Sequence, residues 1–325
     1  MPSDVVLESE VYTLGDDVQE RAADVPPGTL TVIAWNIGYG RGFAGDFAGP
    51  WDSSVFDNNL EGMAEVIRQN RVDVALLQEV DLGASRSHGV HQGKELAKRL
   101  GWPYVACATT WSNRYVPFPY WPISKQYGAM HSGQCVISRF PLKNNVRYRM
   151  PQPSGNPFWY NWFYLHRATQ FVEVSVPSVG EVTLVNVHLE AFDPENNLEQ
   201  VLMLRDRMNS RDGANMIVGG DFNALPPDAV KRTGFSDEPD IDFTNDRSVQ
   251  TFFEDGKLQD VVSMVDAPEF HTFPADAPTR RLDYVGVSPA MWESSGSVLK
   301  GACQTLSDHL PVLAKLRLRK PPEDE

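Results

Sequence analysis

Two polar side chains end an apolar run at residues 217–225, which read Ile-Val-Gly-Gly-Asp-Phe-Asn-Ala-Leu. Side chains of a β-strand alternate between its faces, so Asp221 and Asn223 are expected to share one face. A carboxylate there can orient a water molecule while the amide donates a hydrogen bond to a phosphoryl oxygen. Gly, Asp and Asn are also ordinary turn formers, so this segment alone equally fits a strand that ends in a turn.

Further apolar runs deliver polar side chains in the same way, at residues 31–36, 72–79, 182–190 and 307–312, while the run at 281–287 begins with its acidic residue instead. With 217–225 they supply one candidate set: Asn36, Glu79, His188, Asp221, Asn223, Asp283, Asp308 and His309. Carboxylates with a few Asn and His residues suit a hard divalent cation and a phosphoryl group, whereas a zinc site is richer in His and Cys. The set therefore favours Mg²⁺.

Seven motifs, six of which contain these residues, follow one another along the chain: WNI at 35–37, LQEVD at 77–81, GQCVISRFPL at 133–142, VNVHLE at 185–190, GGDFNA at 219–224, RLDYVGVS at 281–288 and LSDHLPV at 306–312. In these motifs and their order, the sequence resembles the endonuclease/exonuclease/phosphatase (deoxyribonuclease-I-like) superfamily of Mg²⁺-dependent phosphoesterases. The superfamily includes deoxyribonucleases, abasic-site endonucleases, sphingomyelinases and inositol-phosphate phosphatases. The resemblance covers about residues 31–318, which is nearly the whole chain.

The resemblance implies an α+β fold, a four-layer α/β/β/α sandwich of two mixed β-sheets packed face to face with helices outside. Strand and helix alternation alone also permits a doubly wound parallel sheet. Apolar residues at helical spacing predict a helix over 56–70, and Asp193-Pro194-Glu195 predicts the start of another. The apolar stripe of this second helix, Leu198, Val201, Leu202 and Met208, is expected to lie in the core. We expect an acidic N-terminal segment at 1–28, extended or partly disordered, a catalytic domain at 29–320 and a tail at 321–325.

The resemblance also implies how the candidate residues work in metal-assisted hydrolysis at phosphorus. Glu79 is expected to bind Mg²⁺ directly, with Asn36 and Asp308 supporting the metal directly or through water, and Mn²⁺ is expected to substitute. Asp221 is expected to orient the attacking water, and Asn223 to bond a non-bridging phosphoryl oxygen.

Two histidines complete the expected site. Asp283 is expected to hold the imidazole of His309 and favour its protonated form. His188 is expected to approach the phosphate from the other side, as a donor or general acid. A single His on an apolar strand is by itself more often structural, so the functional interpretation of His188 depends on the VNVHLE motif.

Candidate substrate contacts are less specific. Arg86, Arg139 and Arg167 suit phosphate oxygens, although they fit surface ion pairs equally well. Two aromatic segments, around Trp121 and Trp159, either form a recognition surface or a satellite hydrophobic cluster. Their members are Trp111, Tyr115, Phe118, Tyr120, Trp121 and Tyr127, and then Phe158, Trp159, Tyr160, Trp162, Phe163 and Tyr164.

The substrate class is narrowed by charge and by motifs. The formal net charge of -14 disfavours tight nonspecific capture of duplex DNA, which depends on neutralisation by Lys and Arg. Motifs typical of abasic-site endonucleases and inositol-phosphate 5-phosphatases are absent, which leaves deoxyribonucleases and sphingomyelinases. We expect a Mg²⁺-dependent phosphodiesterase acting on nucleic acid or a nucleotide. A phospholipid or sphingomyelin head-group phosphodiesterase is the alternative, and a catalytically inactive binding module is an alternative of another class.

Three cysteines, Cys107, Cys135 and Cys303, are too few and too scattered to predict a disulfide framework or a Cys-based metal site. The N-terminal segment lacks the basic start and apolar core of a signal peptide, so a cytoplasmic location is expected. No apolar run reaches the length of a transmembrane helix. The sequence indicates no protein partner, and we expect a monomer.

Overall fold

The computed structural model describes residues 6–8, 10–14, 25–43, 51–118, 120–155, 166–211 and 215–319. Its strands are β1 (Val6–Glu8), β2 (Val11–Thr13), β3 (Thr29–Asn36), β4 (Val74–Asp81), β5 (Tyr104–Val116), β6 (Gly128–Ser138), β7 (Leu142–Arg149), β8 (Ala168–Val176), β9 (Gly180–His188), β10 (Met216–Asp221), β11 (Gln259–Asp260), β12 (Asp283–Val287), β13 (Trp292–Val298) and β14 (Val312–Leu318). Its α-helices are α1 (Ser53–Gln69), α2 (Gln92–Leu100), α3 (Pro194–Asn209), α4 (Ser248–Phe253) and α5 (Cys303–Leu306).

The strands within these described ranges form two seven-stranded sheets. The first sheet has the order β1-β7-β8-β9-β10-β12-β11, and the second has the order β13-β14-β3-β4-β6-β5-β2. Near the centre of each sheet one pair of strands is parallel, β9 with β10 and β3 with β4, while the neighbouring strands run antiparallel. The sheets are therefore mixed, as the sequence predicts.

Three apolar clusters hold the layers together and confirm the expected sandwich. The first packs α1 and α2 against the outer face of the second sheet, through residues such as Trp35, Met63 and Leu96. Another lies between the sheets and joins side chains such as Val32, Leu76, Leu184 and Val285. The third packs α3 and α4 against the first sheet, through Val187, Val201, Val218 and Phe252.

The predicted helices are present, although one apolar stripe differs from expectation. The helix expected over 56–70 is α1, whose Phe56, Leu60, Met63 and Ile67 are buried. The side chain of Asp193 caps α3 by accepting hydrogen bonds from the amides of Glu195 and Asn196. Leu202 of α3 is 52 % exposed, so the expectation from its spacing that it lies in the core is wrong.

The buried face of α3 instead carries amide side chains that hold the loop after β9. Asn197 donates to the carbonyl oxygens of Glu190 and Phe222, at 2.6 and 2.8 Å. The side-chain oxygen of Gln200 accepts from the amide of Glu190 at 2.9 Å. These bonds fix the segments that follow β9 and β10, where candidate site residues lie.

Part of the acidic N-terminal segment joins the sandwich. Strand β1 pairs with β7 at the edge of the first sheet, and β2 pairs with β5 at the edge of the second. The boundary predicted at residue 28, between this segment and the catalytic domain, stays a prediction. Among the described residues, no helix is long and apolar enough to span a membrane.

A disulfide joins Cys107 and Cys135, which face each other across the β5–β6 ladder. The expectation that the cysteines form no disulfide is therefore wrong, because two residues far apart in sequence become direct cross-strand neighbours in an antiparallel pair. Cys303 is a free, buried thiol. Disulfides persist in oxidising compartments and are rare in the cytosol, which argues against the expected cytoplasmic location.

The disulfide gives a thiol count that can be measured. Unfolded, non-reduced protein should react with Ellman's reagent at the single thiol of Cys303, and at all three cysteines after reduction. Replacing Cys107 and Cys135 together with Ser should lower the free energy of unfolding by about 2–4 kcal/mol, because the unfolded chain regains freedom. Three reactive thiols without reductant would contradict this pairing.

Candidate functional site

The expected site residues converge because the central parallel strands end at the same edge of the sandwich. The carboxyl ends of β3 and β4 bring Asn36 and Glu79 there, and those of β9 and β10 bring His188 and Asp221. His188 and Asp283 flank Asp221 directly in the ladders of the first sheet. Residues paired in this way project from one face, here toward the second sheet.

Two glycines let β10 fit between its neighbours and the opposite sheet. A Cβ atom on Gly219 would lie 3.0 Å from a Leu76 methyl and 3.2 Å from the Cβ of Ala34. Gly220 has φ of +146°, and a Cβ there would lie 2.0 Å from the carbonyl oxygen of Val187. The Gly-Gly pair therefore brings the strand that carries Asp221 close to the strands that carry Asn36 and Glu79.

Asp221 is the centre of the polar cluster. Its Oδ2 accepts a hydrogen bond from Asn36 Nδ2 at 3.0 Å, and it lies 3.7 Å from Nε2 of both His188 and His309. Burial raises the pKa of this carboxyl to about 7, against the opposing charge of His309. At neutral pH, Asp221 can therefore both accept and release a proton.

His309 is held as a cation by its neighbours. Its Nδ1 lies 2.9 Å from Oδ2 of Asp283, which confirms the expected contact between these residues. Burial alone would lower the pKa of His309, but the carboxylates of Asp283, Asp221 and Asp308 outweigh it and raise the pKa to about 10. The indole of Trp35 donates to the backbone oxygen of His309 at 3.0 Å and fixes its position.

Glu79 lies in a β-bulge of β4 with an unfavourable backbone conformation. The pairing of β4 with β6 shifts between Leu77 and Val80, and Glu79 has φ of +51°. This left-handed conformation costs roughly 1–2 kcal/mol for a residue with a Cβ atom, and such residues are found at functional sites. The bulge turns the Glu79 carboxylate toward the site, where Oε1 lies 3.9 Å from His188 Nε2.

Glu79 and Asp308 form the more suitable group for a divalent cation. Burial and the nearby charge of Asp308 raise the pKa of Glu79, so the two carboxylates repel each other. Arg41 donates to Asp308 Oδ2 at 2.7 Å, and although burial opposes this, its charge holds the pKa of Asp308 below the usual range. A cation between the carboxylates would relieve the repulsion, and oxygen ligands suit Mg²⁺.

A second group, of Asp221, Asp283 and His309, is less suitable for a metal ion. Potential ligand atoms of Asp221, Asp283 and His309 lie within 4.8 Å of one another. A metal requires a neutral imidazole, whereas His309 is protonated and its Nδ1 is bonded to Asp283. We therefore interpret this group as an acid–base cluster.

His188 lies within the site, but its environment differs from that of a proton donor. Arg167 Nη1 donates to Nε2 of His188, which makes this nitrogen an acceptor. Burial and the charge of Arg167 lower the pKa of His188 well below its usual value. In this arrangement His188 is neutral, and Arg167 is the donor beside it.

Asn223 follows β10 but does not continue the strand. Its φ is +48°, its amide N–H donates to Asp221 Oδ1 at 2.9 Å, and its side chain donates to the carbonyl of Leu189 at 3.0 Å. Asp221 and Asn223 therefore do not share a face by strand alternation, and the turn interpretation of this segment is correct. The Asn223 amide fixes the β9 and β10 ends to each other.

Two of the expected phosphate-binding arginines are engaged elsewhere. Arg86 forms two hydrogen bonds with buried Asp81, at 2.9 and 3.0 Å, and stacks over the ring of Tyr39 at 3.5 Å. Arg139 pairs with Asp73, which precedes β4 at the end of the sandwich opposite Glu79. Positive charge was the sequence signal for these residues, and it does not distinguish a substrate contact from an ion pair.

The first aromatic segment contains both structures that the sequence left open. Trp111 and Tyr127 pack in a satellite cluster with Val116 and Met130. Trp121, in contrast, is 77 % exposed, and other exposed large side chains lie near it in the sequence: Tyr115 at the end of β5, and Phe118, Tyr120 and Ile123 in the β5–β6 connection. Trp159 and the rest of the second aromatic segment lie outside the described residues.

Comparison with known proteins decides the family. A model of the endonuclease/exonuclease/phosphatase family matches residues 33–309, which are most of the chain. The chain belongs to this family. Family members are generally hydrolases of phosphoesters and typically use a divalent metal.

Individual relatives add less about activity. This family member is 23 % identical over 266 residues to the uncharacterized protein YbhP of Escherichia coli K12, covering 80 % of this chain and 88 % of YbhP. A family structure from Beutenbergia cavernae is 26 % identical, with a TM-score of 0.64, covering 89 % of this chain and 72 % of that one. A mannosyl-6-phosphatase of Bacteroides thetaiotaomicron is 18 % identical, with a TM-score of 0.58 and coverage of 88 % and 99 %. This last likeness shows the fold alone.

Sequence reasoning missed two residues of this family member's site. Arg41 neutralises Asp308, and Tyr39 lies between Arg86 and the Glu79 side of the cluster, where burial and the charge of Glu79 raise its pKa. Both follow the WNI motif closely: Tyr39 lies in the short Gly-rich turn Gly38–Gly40, and Arg41 directly follows it. Their position just after that motif is the sequence signal that could have identified them as site residues.

Asp283→Asn should lower the pKa of His309, because it removes the nearest carboxylate. Wild-type His309 should stay protonated until the pH nears about 10, whereas the variant should lose its proton at lower pH in an NMR titration. Because the folded pKa exceeds the unfolded value of about 6.5, protonated His309 stabilises the fold fully below that pH. This stabilisation is lost as the pH rises towards about 10.

A second Asp–His pair provides a matched control for this titration. His271 Nε2 lies 2.7 Å from Asp266 Oδ1, and Asp266→Asn should leave the titration of His309 in place. An unchanged His309 titration in Asp283→Asn would show that Asp283 does not set its charge.

Proposed function

We propose that the protein is a Mg²⁺-dependent phosphodiesterase that hydrolyses nucleic acid or nucleotide substrates by attack of water on phosphorus. The carboxyl of Asp221, with its pKa raised to about 7 beside protonated His309, carries this proposal. A general base works best when its pKa is near the operating pH. A site with both a base and an acid supports hydrolysis, in which one proton is taken and another is given.

The reaction balances with groups of this chain. Ionised Asp221 takes a proton from water as the water oxygen bonds to phosphorus, and the bond from phosphorus to the leaving oxygen breaks. Protonated His309 gives its proton to that leaving oxygen. Proton transfer from Asp221 to His309, whose facing atoms lie 3.7 Å apart, restores the starting state.

Charge on the phosphoryl group is balanced from two sides. Arg167, placed beside His188, is the expected donor to a non-bridging oxygen on one side. On the other side Glu79 and Asp308, with Asn36 nearby, would hold Mg²⁺. The bound cation supplies Lewis-acid stabilisation of phosphoryl oxygens.

The exposed aromatic residues around Trp121 support two substrate classes. Nucleic-acid bases of any type stack on exposed aromatic rings, which favours a single-stranded nucleic acid or a nucleotide as substrate. Exposed apolar side chains next to the rings, such as Ile123, also suit the interface of a lipid bilayer. A lipid head-group phosphodiesterase is therefore the second candidate.

The metal requirement can be tested with a small phosphodiester. Chelation should abolish hydrolysis of bis-p-nitrophenyl phosphate, and Mg²⁺ or Mn²⁺ should restore it. Glu79→Gln should lose more than the roughly 10–100-fold that loss of an outer-shell metal partner costs, because it removes a direct ligand. Leu202→Ala, an exposed change on α3, should keep full activity. Undiminished hydrolysis in chelator would overturn the metal mechanism.

The same assay tests the class of inactive binding modules. Such a module would hydrolyse none of a panel that also contains phosphomonoesters, RNA, DNA and sphingomyelin, although its melting temperature would be normal. Hydrolysis of monoesters alone would point to a phosphatase and exclude the proposed diester activity.

Trp121→Ala should separate the two substrate classes. Because Trp121 is exposed, the variant should keep its melting temperature and its activity on bis-p-nitrophenyl phosphate while KM for the true substrate rises. A higher KM for oligonucleotides would favour a nuclease, and loss of liposome binding would favour a lipid substrate. Truncation of a buried Trp instead costs about 3–5 kcal/mol, so a fall in stability with an unchanged KM would rule out a recognition role.

A further inference from the structure

A pocket lined by cationic side chains lies beside the catalytic cluster. Arg147 and Arg149 of β7, with His166 just before β8, line a cavity of about 150 Å³ whose opposite wall is β5 around Thr109. A water molecule needs only about 10–15 Å³ of such space. The cavity is therefore large enough for a phosphoryl group and accompanying water.

The pairing of strands in both sheets places this pocket at the catalytic end. Arg149 pairs with Ala168, and Ala168 pairs with His188, so Arg149 and His188 project from the same face of the first sheet. Two strand spacings separate them, which is roughly 10 Å. In the second sheet, Thr109 and Val80 both pair with Gly133, and Val80 follows Glu79.

The positive charge of the pocket is not neutralised by the described part of the protein. Arg147 donates to the carbonyl oxygen of Thr109 and Arg149 to the His166 ring, and no described carboxylate forms an ion pair with either arginine. The buried Nε of Arg147 has no hydrogen-bond partner among these residues. Burial lowers the pKa of both guanidinium groups, and the charge of Arg149 adds to the effect at Arg147.

Six other arginines of the protein show the opposite arrangement. Arg41, Arg86 and Arg280 each lie against a carboxylate, as do Arg139, Arg205 and Arg281. A half-buried pair of arginines without such a partner is electrostatically unfavourable unless an anion joins it. Residues 156–165, which precede His166 in the sequence, read Asn-Pro-Phe-Trp-Tyr-Asn-Trp-Phe-Tyr-Leu and include no acidic side chain.

His166 adds a polar ring without adding an anion. Arg149 Nη2 lies 2.7 Å from its Nδ1 and 3.0 Å from its Nε2, and Gln152 Nε2 lies 2.7 Å from Nδ1, so both residues hold donor nitrogens against the ring. Burial and the two arginines lower the pKa of His166 to about 4, which agrees with a neutral ring. The ring thus orients the Arg149 guanidinium and leaves the arginine charge available to a ligand.

We infer that Arg147 and Arg149 bind a second phosphoryl group of the substrate, adjacent to the one that is hydrolysed. Guanidinium groups bind phosphate oxygens through paired, charge-assisted hydrogen bonds. This inference rests on the proposed function, and it narrows the substrate class to molecules with two phosphoryl groups on one backbone. A terminally phosphorylated oligonucleotide and a phosphorylated inositol head group share this chemistry.

Matched substrates test the inference. Wild-type protein should hydrolyse the dinucleotide pTpT with a kcat/KM roughly tenfold or more above that of TpT, because two charge-assisted contacts form. In Arg147→Gln/Arg149→Gln this ratio should fall to about one, while hydrolysis of TpT and bis-p-nitrophenyl phosphate stays unchanged. Glycerophosphoinositol with and without a ring phosphate forms a second pair of substrates, the second arm of the test. The pair whose ratio falls in the variant identifies whether the second phosphoryl group belongs to a nucleic acid or to an inositol head group. An unchanged ratio in both arms would overturn the inference.

Two further variants control for folding and for general loss of charge. Arg147→Lys/Arg149→Lys should keep part of the preference, because the charge remains and the paired geometry is lost. Arg319→Gln removes a half-exposed arginine at the opposite end of the sandwich and should keep the full ratio. A ratio that falls as much in Arg319→Gln would mean that net charge, and not this pocket, sets the preference.

A binding measurement separates this inference from the proposed function. Adenosine 3′,5′-bisphosphate should bind wild-type protein more tightly than adenosine 5′-monophosphate in calorimetry, and the double Gln variant should lose the difference. This result would support the pocket even in a protein that hydrolyses no diester. Equal binding of both nucleotides by wild-type protein would exclude the second phosphoryl site even if diesters are hydrolysed.

Discussion

Burial of the Asp221 carboxylate is the constraint on which the rest of the site depends. Removal of a charged carboxylate from water costs several kcal/mol unless neighbouring groups compensate for it. Asn36 and His309 provide that compensation from β3 and from the segment before β14, while Asp221 itself ends β10. The two sheets must therefore stay aligned at this end, because the carboxylate lies on the first sheet while Asn36 and His309 come from the second.

Amide side chains between the sheets maintain this alignment. Gln78 donates to Asn186 Oδ1 at 2.6 Å, and Asn186 donates to the carbonyl oxygens of Leu77 and Cys135 at 3.1 and 3.2 Å. Gln134 donates back to the carbonyl of Asn186 at 2.8 Å. A slip of one residue in either sheet would leave these buried groups without partners. The polar layer thus selects one register, and that register places the catalytic groups together.

The order of the motifs predicted the sandwich and the convergence of the main cluster through the family resemblance, whereas strand and helix alternation alone left a doubly wound sheet open. Apolar spacing and an N-cap signal predicted both long helices. The sequence left open whether Asn223 continues the strand or lies in a turn, since a left-handed residue after a strand has no periodic signal. The sequence could not decide between phosphate contacts and ion pairs for Arg139 and Arg86, because their partners, Asp73 and Asp81, become neighbours only in the folded chain. The Cys107–Cys135 bond was missed for the same reason. Arg147 and Arg149 lay on a strand without a motif, so nothing in the sequence set them apart.

The left-handed conformation of Glu79 sets stability against activity at a single position. Glycine adopts such a conformation without a steric penalty, so selection for folding alone would place glycine at this bulge. Removing the carboxylate would also end its repulsion with Asp308. Engineering for thermal robustness would therefore tend to replace the residue on which the proposed chemistry depends. A search for stabilised variants of this protein needs an activity screen at residue 79.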